Sequence, residues 1–219
     1  MIGTQSSDSV ADANEIELVR HLIQDWHWGE PVIRMFGAPK DAKYVPEIQL
    51  SELGREGDID LLCASKSEPQ SAVAVQFKIA KIRETTYQSL RPNKLDELPK
   101  LIQQTNMLVE LGFSRVFACL VVLIDSRVTP GEQIVVGGLT EELRSALDAR
   151  ISLRDLHERA GFLQTHLVQA PDSAPLTTGE ISSHMVRVAT AGRQTDSLTN
   201  WVERRASAAG PLAQPDPLR

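Results

Sequence analysis

The chain has 219 residues, of which 42% are hydrophobic and 24% charged. That length and composition suit one well-filled core and leave little room for two full domains. A net charge of −6 excludes a protein that coats nucleic acid through overall charge, but not an enzyme whose acidic and basic groups are segregated. No apolar run reaches the roughly 18 residues of a membrane span. The opening stretch MIGTQSSDSVADAN lacks a basic region followed by an apolar one, so no secretory signal is expected. Cys63 and Cys119 sit inside apolar, strand-like runs as buried reduced thiols do, which points to a cytoplasmic location.

Residues 1–12 and 206–219 are small, polar or proline-containing and read as disordered ends. Asn14 is placed to cap a helix over 15–28, in which Ile16, Val19, Leu22, Ile23 and Trp26 recur at helical spacing. Gly29 and Pro31 are expected to end it. An extended segment over 43–53, interrupted by Pro46, precedes strands near 58–64 and 72–80. A helix over 94–112 is expected to begin properly near Pro99 and to stop at Gly112. The run VFACLVVLI, within a strand over 114–126, is apolar throughout and so predicts burial on both faces.

Leu143, Leu147, Ile151 and Leu156 predict a helix over 139–161 packed on the core. Strands near 162–170 and 183–190 and a short helix ending near Arg205 follow. Three successive strands imply hairpins, and a strand after a crossover helix implies a parallel neighbour. The predicted class is α/β (α+β), a mixed sheet flanked by helices with C-terminal helix and strand additions. It forms one domain over 13–205, with a core over 15–126 and an extension over 127–205.

The segment GDIDLLCASKSEPQSAVAVQFKIAK (57–81) is the most informative. By strand alternation Ile59, Leu61 and Cys63 share one face with Val73, Val75, Phe77 and Ile79. Asp58, Asp60, Leu62 and Ala64 share the other with Ala72, Ala74, Gln76, Lys78 and Ala80. With the turn near residues 68–69, antiparallel partners carry numbers summing to about 137, so Asp60 faces residues 76–78 at a spacing of about 5 Å. An outward polar face is ordinary for a half-solvated hairpin. Here, however, the same face also carries leucine and alanines, as a covered surface with a polar pocket at one end would. A carboxylate, an amide acceptor and an ammonium at that end suit a hard metal ion, which takes one or two carboxylates plus water and phosphate. The lysine would steady charge that develops in the transition state.

The pair of stretches GREGDIDLL (54–62) and AVQFK (74–78) resembles the PD-(D/E)xK nuclease superfamily in its D…QxK variant, and most closely restriction endonucleases of the Mrr type. The resemblance spans about 110 residues and implies a restriction-endonuclease-like core of order α-β-β-β-α-β. It further implies a DNA substrate, Mg²⁺ or Mn²⁺ as cofactor, and a role in restriction or defence. By the same resemblance Asp60 is the metal-binding aspartate, Gln76 occupies the second ligand position and Lys78 is the catalytic lysine. A glutamate of the first helix completes such sites, Glu17 being preferred over Glu15, while Glu47 and Asp58 are additional acidic donors. Gln76 is neutral, so a glutamate there is expected to be tolerated or to raise metal affinity.

From Lys78 to Lys94 five basic residues (Lys78, Lys81, Arg83, Arg91, Lys94) stand against Glu84 alone. Lys81, Arg83, Arg91 and Lys94 are thus candidate phosphate contacts beside a solvated loop, and Gln103 and Gln104 of the following helix are candidates to face the site. A second functional class is a nuclease-fold module that has lost the chemistry and serves as a binding or scaffolding protein, as a homodimer or in a larger assembly.

Overall fold

The computed structural model describes residues 14–24, 26–82, 86, 89, 95–125, 139–169 and 178–208. The end segments 1–12 and 209–219, and with them Arg83, Arg91 and Lys94, lie outside the described residues.

Asn14 caps the first helix as its side chain predicts. Its Oδ1 accepts from Glu17 N at 2.9 Å, and Glu17 Oε2 accepts from Asn14 N at 3.0 Å, so two of the helix's orphan donors are satisfied reciprocally. Helix α1 (Glu15–Gln24) buries Leu18, Val19, Leu22 and Ile23. Gly29 and Pro31 do not end it; both lie inside a second helix, α2 (Trp26–Met35). A Cβ on Gly29 would stand 1.4 Å from the Leu22 carbonyl oxygen, so the glycine serves the close approach of α2 to α1 rather than a helix stop.

Six strands form one mixed sheet in sequence order: β1 (Lys43–Gln49), β2 (Asp58–Ala64), β3 (Val73–Ile82), β4 (Arg115–Asp125), β5 (Gly161–Gln169) and β6 (Thr178–Arg187). The pairs β1–β2, β2–β3 and β5–β6 are antiparallel, while β3–β4 and β4–β5 are parallel. Each parallel pair needs a crossover, and helices α3 (Leu98–Leu111) and α4 (Glu141–Asp148) lie in the two connections. Helix α5 (Asp196–Ala208) follows the last strand and runs past Arg205. The molecule is therefore α+β, with five helices and six strands among the described residues.

Alternation along the strands builds two cores. On one face Leu62, Ala74 and Leu120 pack with Leu101 and Leu108 of α3, Leu143 of α4 and Trp201 of α5. On the other, Leu61, Val75, Phe77 and Val121 pack with Leu18 and Leu22 of α1 and Val32 and Phe36 of α2. Strand β4 is buried on both sides, as its composition predicts. Cys63 and Cys119 are free, buried thiols, and burial pushes the Cys63 thiol up to about 12.

Behind β4 the structure departs from the expected helix over 139–161. Helix α4 ends at Asp148, yet Leu143, Leu147 and Leu156 are buried in one core and Ile151 packs against it. The chain after α4 finds better partners than its own next turn. Asn106 of α3 donates to Asp155 O and accepts from His157 N, both at 2.8 Å. The Arg187 guanidinium donates to the carbonyls of Leu156, His157 and Ala160. The strand expected at 183–190 begins earlier, at Thr178, and ends at Arg187.

Candidate active site where two strands part

The β2–β3 ladder runs through Cys63↔Val73, Leu62↔Ala74 and Leu61↔Val75, one residue from the expected register. Beyond Leu61 it stops. Side chains take over the bonding: Asp60 Oδ2 accepts from Phe77 N at 2.7 Å, and Gln76 Nε2 donates to Asp58 O at 2.6 Å. Asp58, Asp60, Gln76 and Phe77 thus form one bonded seam between parting strands. The backbone groups that regular pairing would satisfy are satisfied here by a carboxylate and an amide.

Lys78 follows two residues after Gln76, with its side chain only 13% exposed. Its Nζ lies 2.5 Å from Glu97 Oε2 and 3.3 Å from Glu15 Oε1. Glu15 comes from the first turn of α1, and Glu97 from the short turn immediately before α3. Burial works to lower the lysine's pKa, but hydrogen bonds and charge from Glu97 and Glu15 outweigh it and hold the group above its ordinary value. The amine is therefore an ammonium at neutral pH, fit to stabilise negative charge and unfit to abstract a proton.

At Asp60 an upward shift favours the neutral form instead of the charged one. Burial, reinforced by the charges of Asp58 and Glu15, pushes its carboxyl up to about 7 against the pull of Phe77 N–H and Lys78. A carboxyl crowded by other carboxylates and half-protonated near neutrality is relieved by a cation. Among the described residues no three acidic, histidine or cysteine side chains converge as a ready-made metal cluster. Mg²⁺ does not require one, since it commonly keeps several waters and takes one or two carboxylates plus substrate phosphate. Asp60, with Asp58 or Glu15 beside it, suits that donor set.

The remaining predicted residues are placed as follows. Glu17 closes the α1 cap, and it is Glu15 that reaches Lys78. The α1 periodicity carries this information: Glu15 lies three and four residues before buried Leu18 and Val19, whereas Glu17 is rotated about 200° around the helix from Glu15. Glu47 Oε2 pairs with Arg20 at 3.0 Å. Lys81 is buried in β3 at 8% exposure, a poor position for a phosphate backbone. Gln103 and Gln104 line a groove of about 700 Å³ together with Glu56, Gly57, Lys100 and Glu110. Gly57 directly precedes Asp58, so the groove adjoins the seam. Glu97 was not foreseen, because the residues between it and Lys78 carry no pattern that would place the two together.

The bond from Gln76 reverses one expectation. A glutamate at 76 replaces the donor facing Asp58 O with a second acceptor, inside a residue that is 1% exposed. Gln76→Glu should therefore cost about 1–3 kcal/mol of stability instead of being tolerated. Denaturant unfolding at pH 8 without divalent metal tests this, and an unchanged midpoint would contradict it.

Comparison with known proteins finds no matching family model, no matching curated protein and no matching solved structure. The functional reading accordingly rests on the chemistry of the seam and on the motif residues. Among the described residues no helix is long and apolar enough to cross a membrane.

Proposed function

We propose that the chain is a metal-dependent nuclease that hydrolyses DNA phosphodiester bonds, on a restriction-endonuclease-like core made of α1, β1 to β3, α3 and β4. The observation that carries this reading is the seam itself. A carboxyl pushed up to about 7 at Asp60 stands in the field of a half-buried ammonium at Lys78, where two strands cease to pair. Both groups are shifted upward, Asp60 toward its neutral form and Lys78 toward its charged form, and perturbed groups of this kind cluster at sites that do chemistry. The resemblance of GREGDIDLL and AVQFK to the PD-(D/E)xK superfamily supports DNA as the substrate.

In this reading ionised Asp60 would hold Mg²⁺ or Mn²⁺, with Glu15 or Asp58 as the second anionic donor, and the ion would supply Lewis-acid chemistry at the scissile phosphate and its attacking water. Lys78 stabilises the negative charge that grows on the phosphoryl oxygens. Gln76 ties β3 to the Asp58 carbonyl and so keeps Asp60 and Lys78 at a set separation. Glu97 must yield Lys78 to an incoming phosphate. Glu97→Gln should therefore raise DNA affinity severalfold, measured by fluorescence anisotropy in EDTA at one fixed salt concentration. Unchanged or weaker binding would mean that Glu97 does not compete with phosphate.

One observation favours the alternative, a non-cleaving module that binds or scaffolds. The Lys78 charge is met by two carboxylates at once. The deciding experiment is cleavage of supercoiled, linear and single-stranded DNA, and of RNA, with Mg²⁺ or Mn²⁺ and with EDTA. Nicking or cutting that EDTA abolishes supports the nuclease. No cleavage of any form removes the enzyme reading and leaves the scaffold.

A further inference from the structure

Side chains at alternate positions of a strand share a face. Strands β1 and β2 obey this except at one level. Val45 packs with the core under α3 to α5, and Ile48, three residues on, should lie on the opposite side but joins the same core. On β2, Leu61 and Cys63 face α1 and α2, whereas Ile59, two residues from Leu61, lies in the other core beside Leu62. No residue has been inserted, because Pro46↔Leu61 and Ile48↔Ile59 hold the same register. The pairing absent between them is that of Glu47 with Asp60. Both strands turn over together at that one level. Glu47 has φ 56°, and it is the sole non-glycine residue with positive φ among the described residues. An L-residue with a side chain is disfavoured there, and such strain persists where the surroundings impose it.

We propose that Glu47 is a positioning residue whose left-handed backbone, and not its carboxylate, turns Asp60 out of the β1–β2 ladder and into the seam with β3. The purpose of this device rests on the nuclease reading; its geometry does not. With Glu47 in ordinary extended conformation the strands would keep their alternation, and Asp60 would pair with Glu47. Its side chain would then stand perpendicular to the sheet beside Leu62. The carboxylate instead lies between the strands, where Phe77 N–H holds it at 2.7 Å. The Glu47 carboxylate is engaged by Arg20 at the surface.

The experiment compares Glu47→Gly, Glu47→Asn, Glu47→Gln and Glu47→Val in the full chain. The readouts are the Phe77 amide signal by NMR, Mn²⁺ binding by calorimetry, and melting temperature. Gly and Asn accept positive φ, so both should keep the Phe77 signal and Mn²⁺ affinity, and Gly should raise the melting temperature. Gln should match the parent in all three. Val is β-branched and should displace the Phe77 signal and weaken Mn²⁺ binding by about tenfold or more. If Val does not fold, the Gly and Gln results decide.

A fall in melting temperature for Gly overturns the proposal. So does weakened Mn²⁺ binding in Gly and Gln alike, which would make the carboxylate a ligand, or an unmoved Phe77 signal in folded Val. Failure of the nuclease reading looks different: the parent cleaves nothing, while the Phe77 signal still follows backbone type at position 47.

Discussion

Replacing Lys78 by alanine should lower DNA turnover by roughly two to three orders of magnitude, the cost of losing one transition-state donor, while Mn²⁺ binding stays intact. The ammonium sits between Glu97 and Glu15 and is held charged by them, so its contribution is electrostatic throughout the physiological pH range. Removing it leaves the Asp60 carboxylate and its acidic neighbours in place. Metal affinity should therefore be unchanged or slightly higher, because a competing cation has gone. Single-turnover cleavage of plasmid DNA, with calorimetric Mn²⁺ titration on the same samples, separates the two effects. Equal cleavage by variant and parent would exclude Lys78 from the chemistry, and loss of Mn²⁺ binding would show that the substitution had disordered the site.

Asp60→Asn should do the reverse: abolish tight Mn²⁺ binding and cleavage, yet stabilise the metal-free fold. The sign follows from proton linkage. A carboxyl raised from 3.8 to about 7 binds its proton more tightly in the folded chain than in the unfolded one. Its contribution to stability is therefore greatest in acid and declines as pH rises from about 4 to about 7, by at most about 4 kcal/mol in all. Asparagine carries no such burden and can still accept from Phe77 N. In EDTA the variant should melt well above the parent at pH 8, with the difference disappearing near pH 4. Added Mn²⁺ should stabilise the parent and not the variant. In the parent, protons compete with metal at Asp60, so Mn²⁺ affinity should fall as pH drops below about 7. A variant less stable than the parent at pH 8 would mean that Asp60 is a structural carboxylate, bonded to Phe77 and nothing more.

Much of this site was legible in one stretch of sequence. The polar turn near residues 68–69, set between two apolar strand-length runs, placed the β2–β3 pairing within one residue of the observed register. That register brought Asp60 to Gln76 and Phe77. The uninterrupted apolar run from Val116 to Ile124 likewise determined a central strand covered on both faces. These are local patterns, and a pleated strand transmits them directly into space.

What the tertiary structure decided has a common cause: a partner distant in sequence outbid the local preference. Asn106 and Arg187 took the backbone groups of 155–160, so the periodic leucines after Asp148 reached the core without a helix. Gly29 and Pro31 lie inside α2, where Gly29 leaves room for the Leu22 carbonyl of α1, a contact no local rule encodes. Glu97 met Lys78 only through the docking of α3. The reversal at Glu47 and Asp60 is the clearest case. Alternation predicts that Asp60 stands beside Leu62 on one sheet face, and a single positive φ on the neighbouring strand accompanies its turn into the seam. Hydrophobic period fixes which residues are inside; the direction of one carboxylate depends on backbone strain and on a hydrogen bond to another strand, and neither has a signature in the residue pattern.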